Sequence, residues 1–224
     1  CGENLTCQVA FGDVDENSFR GKKVLPTPAE LQTSRAFDAE LAPVLAPLRE
    51  MMPGFNADTL PAMRRLTSDG IPGLPPVDLT AGGAIRVQEL TVPGPAGDPD
   101  ITLLVLSPAA GATNAPCIYH THGGGMIIGD RRTGIDLFLP HVVDSGAVVV
   151  SVEYRLAPEH PDPAPVEDCY AGLTWTAEHA DELGIDPSRI LISGASAGGG
   201  LAAGVALLAR DRGGPALSHQ VLIC

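Results

Sequence analysis

The segment Gly194-Ala195-Ser196-Ala197-Gly198 joins an apolar run of strand character, Arg189-Ile190-Leu191-Ile192, to a helix-type run from Leu201 to Arg210. A chain that passes from strand to helix within so few residues must turn sharply, which forces an unusual backbone angle on the residue at the apex. Small residues two positions to either side then let strand and helix pack beside it. The pattern is G-x-S-x-G, and in this setting it presents the Ser196 hydroxyl as a candidate nucleophile at the N-terminus of a helix, where the dipole favours negative charge.

In a chain with 26 glycines this pattern alone is a weak signal, equally fitted by a glycine-rich loop before a packed helix. A second element strengthens it. His122-Gly123-Gly124-Gly125 follows the apolar run Cys117-Ile118-Tyr119, upstream of the serine. Consecutive glycines let backbone N–H groups approach a substrate oxygen without Cβ interference, where they face charge that develops only in a transition state.

The remaining pattern supplies a scaffold for these two elements. Apolar runs rich in Val, Ile and Leu predict strands at 85–92, 101–106, 117–120, 147–152 and 189–193, with helices at 133–145, 163–183 and 197–212. Such alternation is an α/β fold, a mostly parallel sheet flanked by helices, opened by an antiparallel hairpin at Pro93-Gly94-Pro95. Residues 81–224 form this core. Residues 25–80 form a helical region in which Leu31, Phe37, Leu41, Leu45 and Leu48, then Leu60, Met63 and Leu66, keep helical spacing between prolines. Residues 1–24 show no periodicity and read as a tail.

Composition narrows the partners. With 14 Lys and Arg against 27 Asp and Glu the net charge is −13, which repels nucleic-acid phosphates and anionic membrane surfaces. No apolar run reaches the ~20 residues of a membrane span, and the acidic N-terminus does not read as a signal peptide, so a cytoplasmic location is expected. Cys1, Cys7, Cys117, Cys169 and Cys224 are odd in number and scattered, with no C-x-x-C pair, and Cys117 and Cys169 are expected as small buried hydrophobes.

Between the two glycine-bearing elements runs Val152-Glu153-Tyr154-Arg155-Leu156-Ala157-Pro158-Glu159-His160-Pro161. Together with His122 to Gly125 and Gly194 to Gly199, in that order, it resembles the bacterial hormone-sensitive-lipase-like esterases of the α/β-hydrolase superfamily, over roughly residues 85–224. The resemblance implies an α/β-hydrolase fold with an N-terminal helical cap and a carboxylic-ester substrate of small size, hydrolysed without metal or organic cofactor. Met51, Met52, Phe55 and Met63 would then either touch an acyl chain or pack the cap against itself.

It also implies roles. Ser196 is the nucleophile, and the N–H groups of Gly124, Gly125 and Ala197 form the oxyanion hole. His122 and Gly123 shape the glycine loop, Gly194 and Gly198 flank the serine, and Tyr154, Arg155 and Glu159 form a buried hydrogen-bonded scaffold. Ala195 stands where many relatives carry an acidic residue, which bears on packing and not on the nucleophile. His141, His160, His179 and Asp168 are expected in ordinary surface or helix contacts.

Downstream of Ser196 stand only Asp211, roughly 22 Å along the same helix, and His219, at the start of an apolar strand. The catalytic acid and base, with the last strands of the sheet, are therefore expected beyond residue 224. Two functions remain open: an ester hydrolase, or a non-catalytic relative that binds a small ligand beneath its cap.

Overall fold

The computed structural model describes residues 40, 43, 56–68 and 76–223. The chain divides into two units, Cys1–Pro53 and Gly54–Cys224, and the second carries the elements below. The proposed tail, the helical spacing from Leu31 to Leu48, and Met51, Met52 and Phe55 lie outside the described residues.

Six strands form one sheet: β1 (Ile85–Val92), β2 (Ile101–Pro108), β3 (Ala115–Thr121), β4 (Val148–Glu153), β5 (Ile185–Ala195) and β6 (His219–Ile223), in the spatial order β1-β2-β4-β3-β5-β6. The β1–β2 hairpin and the β2–β4 pair are antiparallel, whereas β4, β3, β5 and β6 run parallel. The helices are α1 (Leu60–Ser68), α2 (Leu139–Ser145), α3 (Ala164–Glu178), α4 (Ala180–Leu183) and α5 (Ala197–Arg212).

Strand alternation sorts the core into two faces. Leu103, Val105, Cys117, Tyr119, Val150, Ile190 and Ile192 pack against α3 and α5 through Cys169, Leu173, Leu201 and Val205. Their neighbours Leu104, Leu106, Ile118 and Val149 face the opposite way, onto Ile135, Phe138 and Val142. Cys117 and Cys169 are free and buried, as their scattered placement implied.

Three elements differ from the sequence reading. The expected helix at 133–145 is a 3-10 turn, Ile135–Phe138, followed by α2, because Pro140 lacks an N–H to continue one helix and favours the first turn of another. The expected helix at 163–183 divides at His179, whose ring stacks on Trp175 at 4.1 Å while Nδ1 lies 2.9 Å from the Trp175 carbonyl oxygen. Strand β5 begins four residues early, since a register shift opposite Ala115 and Cys117 accommodates Pro187.

At the C-terminal ends of the parallel strands three segments converge: the glycine loop after β3, Tyr154 after β4 and Ser196 after β5. This is where open α/β sheets place their ligands.

Packing between α3 and the sheet yields a first prediction. A Cβ on Gly172 would run into the Tyr119 hydroxyl, which donates to the Cys169 carbonyl at 2.8 Å, and would press Leu103. The helix gain from Gly to Ala is about 1 kcal/mol, less than the upper range of an overpacked core at about 1–3 kcal/mol. Gly172→Ala should lower the urea midpoint of unfolding, whereas Gly200→Ala, whose Cβ meets nothing, should raise it.

Candidate active site

Ser196 sits between β5 and α5 with φ 54° and ψ −123°, a conformation that costs a non-glycine residue about 1–3 kcal/mol. The surroundings over-determine it. Its N–H donates to the Ile223 carbonyl at 2.6 Å, and its carbonyl accepts from Gly199 at 2.9 Å and Gly200 at 3.2 Å. A Cβ on Gly194 would strike the Gly198 carbonyl, and one on Gly198 would strike the carbonyls of Thr121 and His122. Both glycines are therefore required by close approach. The Thr121 hydroxyl adds a hydrogen bond to the Gly198 carbonyl at 2.8 Å. The serine side chain itself is exposed.

The glycine loop runs directly beside this turn. A Cβ on Gly123 would lie 2.8 Å from the Ala195 carbonyl oxygen and 3.6 Å from the Ser196 Cβ. Gly124, Gly125 and Met126 follow with φ of 117°, 64° and 61°, and the Gly124 carbonyl accepts from the amides of Ile127 and Ile128. Among the described residues, the N–H groups of Gly124, Gly125 and Ala197 donate to no protein acceptor.

His122 is buried beneath the loop. Its Nδ1 lies 2.8 Å from the Gly123 carbonyl oxygen, which can only accept, so the proton is on Nδ1 and Nε2 is bare. The ring stacks on Tyr154 at 4.1 Å, and the Tyr154 hydroxyl donates to the His122 carbonyl at 2.8 Å. Burial lowers the His122 pKa to about 4, leaving a neutral ring that makes no hydrogen bond to Ser196.

Behind Tyr154, Arg155 is held by a carboxylate that the sequence reading had assigned to an ordinary contact. Asp168 is fully buried and receives Arg155 Nε at 2.8 Å, Nη2 at 2.7 Å and the Arg155 backbone N–H at 2.9 Å. A sequence signal for this existed. Pro165, Asp168, Cys169, Gly172, Leu173 and Thr176 form the buried stripe of α3, so Asp168 is a charge on an apolar face and requires a partner. A second correction concerns Glu159, expected in a buried scaffold. Its side chain is 54% exposed and binds Arg64 of α1.

Asp211 is exposed and bonds Arg210. His219 pairs with Leu191 and is exposed at the far end of β6, about 13 Å along the strand from Ile223. The structure brings neither to Ser196. Among the described residues no group of three His, Cys, Asp or Glu side chains gathers as a metal site, and no helix is long and apolar enough to cross a membrane.

A family model, curated proteins and solved structures match the fold that carries this site. The family model described as alpha/beta hydrolase fold matches residues 118–224. The chain has an alpha/beta hydrolase fold. It is 48% identical over 138 residues to Carboxylesterase NlhH of Mycobacterium tuberculosis, covering 62% of this chain and 43% of that protein. An arylesterase of Saccharolobus solfataricus is 40% identical over 116 residues, covering 51% and 37% respectively. Among solved structures, a bacterial heroin esterase superposes with TM-score 0.67 at 39% identity, covering 80% of this chain and 56% of that one. A thermostable esterase from Pseudomonas putida gives TM-score 0.63 at 31% identity, covering 84% and 58%. The chain thus spans about half the length of the relatives it matches.

Two buried features generate predictions. Asp168→Ala removes three charge-assisted hydrogen bonds from Arg155, which is 17% exposed and keeps its pair with Asp98, so it should destabilise the protein in urea unfolding by less than the about 3–5 kcal/mol of an uncompensated buried charge. His120 and His122 both have pKa values lowered to about 4 by burial, against roughly 6.5 in the unfolded chain. The unfolded state therefore binds more protons between those values, and stability falls as pH drops from about 6.5 towards 4. Unfolding free energies at pH 7, 6 and 5 should decline progressively, and His120→Gln should remove roughly half of the slope.

Proposed function

We propose that the protein is a carboxylic-ester hydrolase for short to medium acyl esters, working through an acyl-enzyme on Ser196. Support comes first from the serine's strained conformation with Gly123 packed against it. A strain of this size is retained where a side chain must be held at a fixed point in front of a substrate. The carboxylesterase, arylesterase and esterase names of the similar proteins favour the same reaction class.

In this reading a general base takes the Ser196 hydroxyl proton as Oγ attacks the ester carbonyl. The resulting oxyanion accepts hydrogen bonds from the amides of Gly124, Gly125 and Ala197, and the α5 dipole adds to that stabilisation. Collapse expels the alcohol, which takes the proton from the base. Water, activated by the same base, then attacks the acyl-enzyme to release the acid and restore the hydroxyl. The acid and base come from residues beyond 224, in keeping with the greater length of the relatives, with a His122 ring that is turned onto the Gly123 carbonyl, and with the placement of Asp211 and His219 away from Ser196. A ligand-binding relative would keep the serine turn and the glycine loop and lack those two residues.

In the complete gene product, Ser196→Ala should abolish nearly all p-nitrophenyl ester turnover and leave the thermal midpoint in place; undiminished turnover in a folded variant overturns the nucleophile assignment. The chain ending at residue 224 should turn over at least about 10⁴-fold more slowly than the complete protein, the scale of triad loss elsewhere. The glycine loop separates further. A Cβ on Gly124 meets the Ile128 carbonyl at φ 117°, whereas one on Gly125 meets only the Ile127 Cγ1 at 3.6 Å. Gly124→Ala should reduce kcat by about 10²-fold, the effect of losing one donor worth about 3 kcal/mol, and Gly125→Ala should reduce it less.

A further inference from the structure

The glycine loop is held from outside by a residue that no motif marks. Arg64, in α1, donates from Nε to the Ile127 carbonyl at 2.8 Å and from Nη2 to the Ala157 carbonyl at 2.8 Å. The same guanidinium forks onto Glu159, Nη1 to Oε1 at 2.9 Å and Nη2 to Oε2 at 2.8 Å. Ile127 closes the turn that starts at Gly124, and the carbonyl of the intervening Met126 accepts from the Ala157 amide at 2.9 Å. One turn later in α1, the Thr67 hydroxyl oxygen accepts from the Gly129 amide at 3.3 Å.

Three successive residues with positive φ, one of them methionine, do not hold their shape without external support. The β3 side of this loop is supported by His122 and Tyr154. On the other side, the Ala157 amide and the α1 contacts take the turn at 126–129, and the Arg64 fork ties its Ile127 carbonyl to the segment at 157–159.

We infer that Arg64 is a positioning residue for ester hydrolysis: its fork on the Ile127 and Ala157 carbonyls fixes the Gly124 and Gly125 amides in the orientation that receives the oxyanion. This rests on the proposed function and extends it to a residue outside the site. Arginine is required because one planar group must serve two carbonyls and a carboxylate at once, which a lysine ammonium cannot do in that geometry. Glu159 holds the fork in place. Its carboxyl, beside Arg64, has a pKa lowered to about 2, so the pair stays charged over the working range of an esterase.

The test uses the complete gene product, with four readouts: kcat, KM, thermal midpoint and the Ki of an alkyl trifluoromethyl ketone, whose adduct on Ser196 carries an oxyanion. Arg64→Lys and Arg64→Met should lower kcat by about ten- to a hundredfold with KM within about twofold, and raise the ketone Ki by a similar factor. Binding of the product carboxylate should not change. Glu159→Gln should have a smaller effect, because the two carbonyl bonds survive. The double exchange Arg64→Glu with Glu159→Arg should stay slow, since a carboxylate cannot donate to Ile127 and Ala157.

Wild-type kcat and ketone Ki in a folded Arg64→Met protein would overturn the inference. So would recovery in the double exchange, which would show that only an ion pair anchors α1. If Arg64→Met does not fold, the Lys variant and Glu159→Gln carry the same comparison. Turnover in the wild type that survives Ser196→Ala would instead refute the proposed function, so the two failures are distinct.

Discussion

The close passage of β5 and α5 around Ser196 sets the terms for everything near it. Ser196 can hold φ 54° and ψ −123° only because the Gly198 carbonyl occupies the space a Gly194 Cβ would need, while Gly198 itself lies against the carbonyls of Thr121 and His122. Strand β3 is thereby drawn against the first turn of α5, and the glycine loop leaves β3 at the point where it must pass the serine. Had either glycine carried a side chain, the helix would stand off from the sheet and the loop would lose the wall that Gly123 packs against. The serine strain is small against this packing, which explains how it persists.

From that contact a chain of positioning runs outward on both sides. On one side, buried Asp168 fixes Arg155, whose neighbour Tyr154 reaches the His122 carbonyl and stacks on its ring, so that a helix on one face of the sheet governs a loop at the C-terminal ends of its strands. On the other side, α1 reaches the same loop through Arg64 and Thr67. Long-range order here comes from charged and polar groups. The apolar core positions whole elements, but directional bonds set the angle of individual peptide groups.

How far this was legible in the sequence depends on the range of the interaction. Strand 85–92, helix 197–212 and the serine turn follow from local periodicity and glycine spacing, and the structure reproduces them. The break at Pro140 is also local, yet apolar spacing continues across it and predicts one helix. The Arg64 fork joins residues 63 and 93 positions apart, and its acceptors are backbone carbonyls, which carry no sequence signature. Asp168 lies between these cases: an ordinary contact is expected from its sequence, whereas the fold sets it on the buried stripe of α3 with Arg155 as its partner. Glu159 reads as part of the motif whose Tyr154 is buried, whereas its own side chain is exposed and reaches out to Arg64 of α1.

The sheet also changes character along its strands. Ile118, Val149 and Leu191 form one apolar layer, and one strand repeat later, towards the site, the same face carries His120 flanked in register by Ser151 and Ser193. All three are buried, and the hydroxyls of Ser151 and Ser193 make no hydrogen bond to the described residues. The strained serine, the positive-φ loop and the bare His122 Nε2 add to the same end of the sheet. Backbone strain and buried polar groups are thus gathered at the C-terminal ends of β3, β4 and β5, beside Ser196 and the glycine loop, and the apolar layers lie behind them. That distribution is expected where a site must present polar groups in fixed but unfavourable conformations.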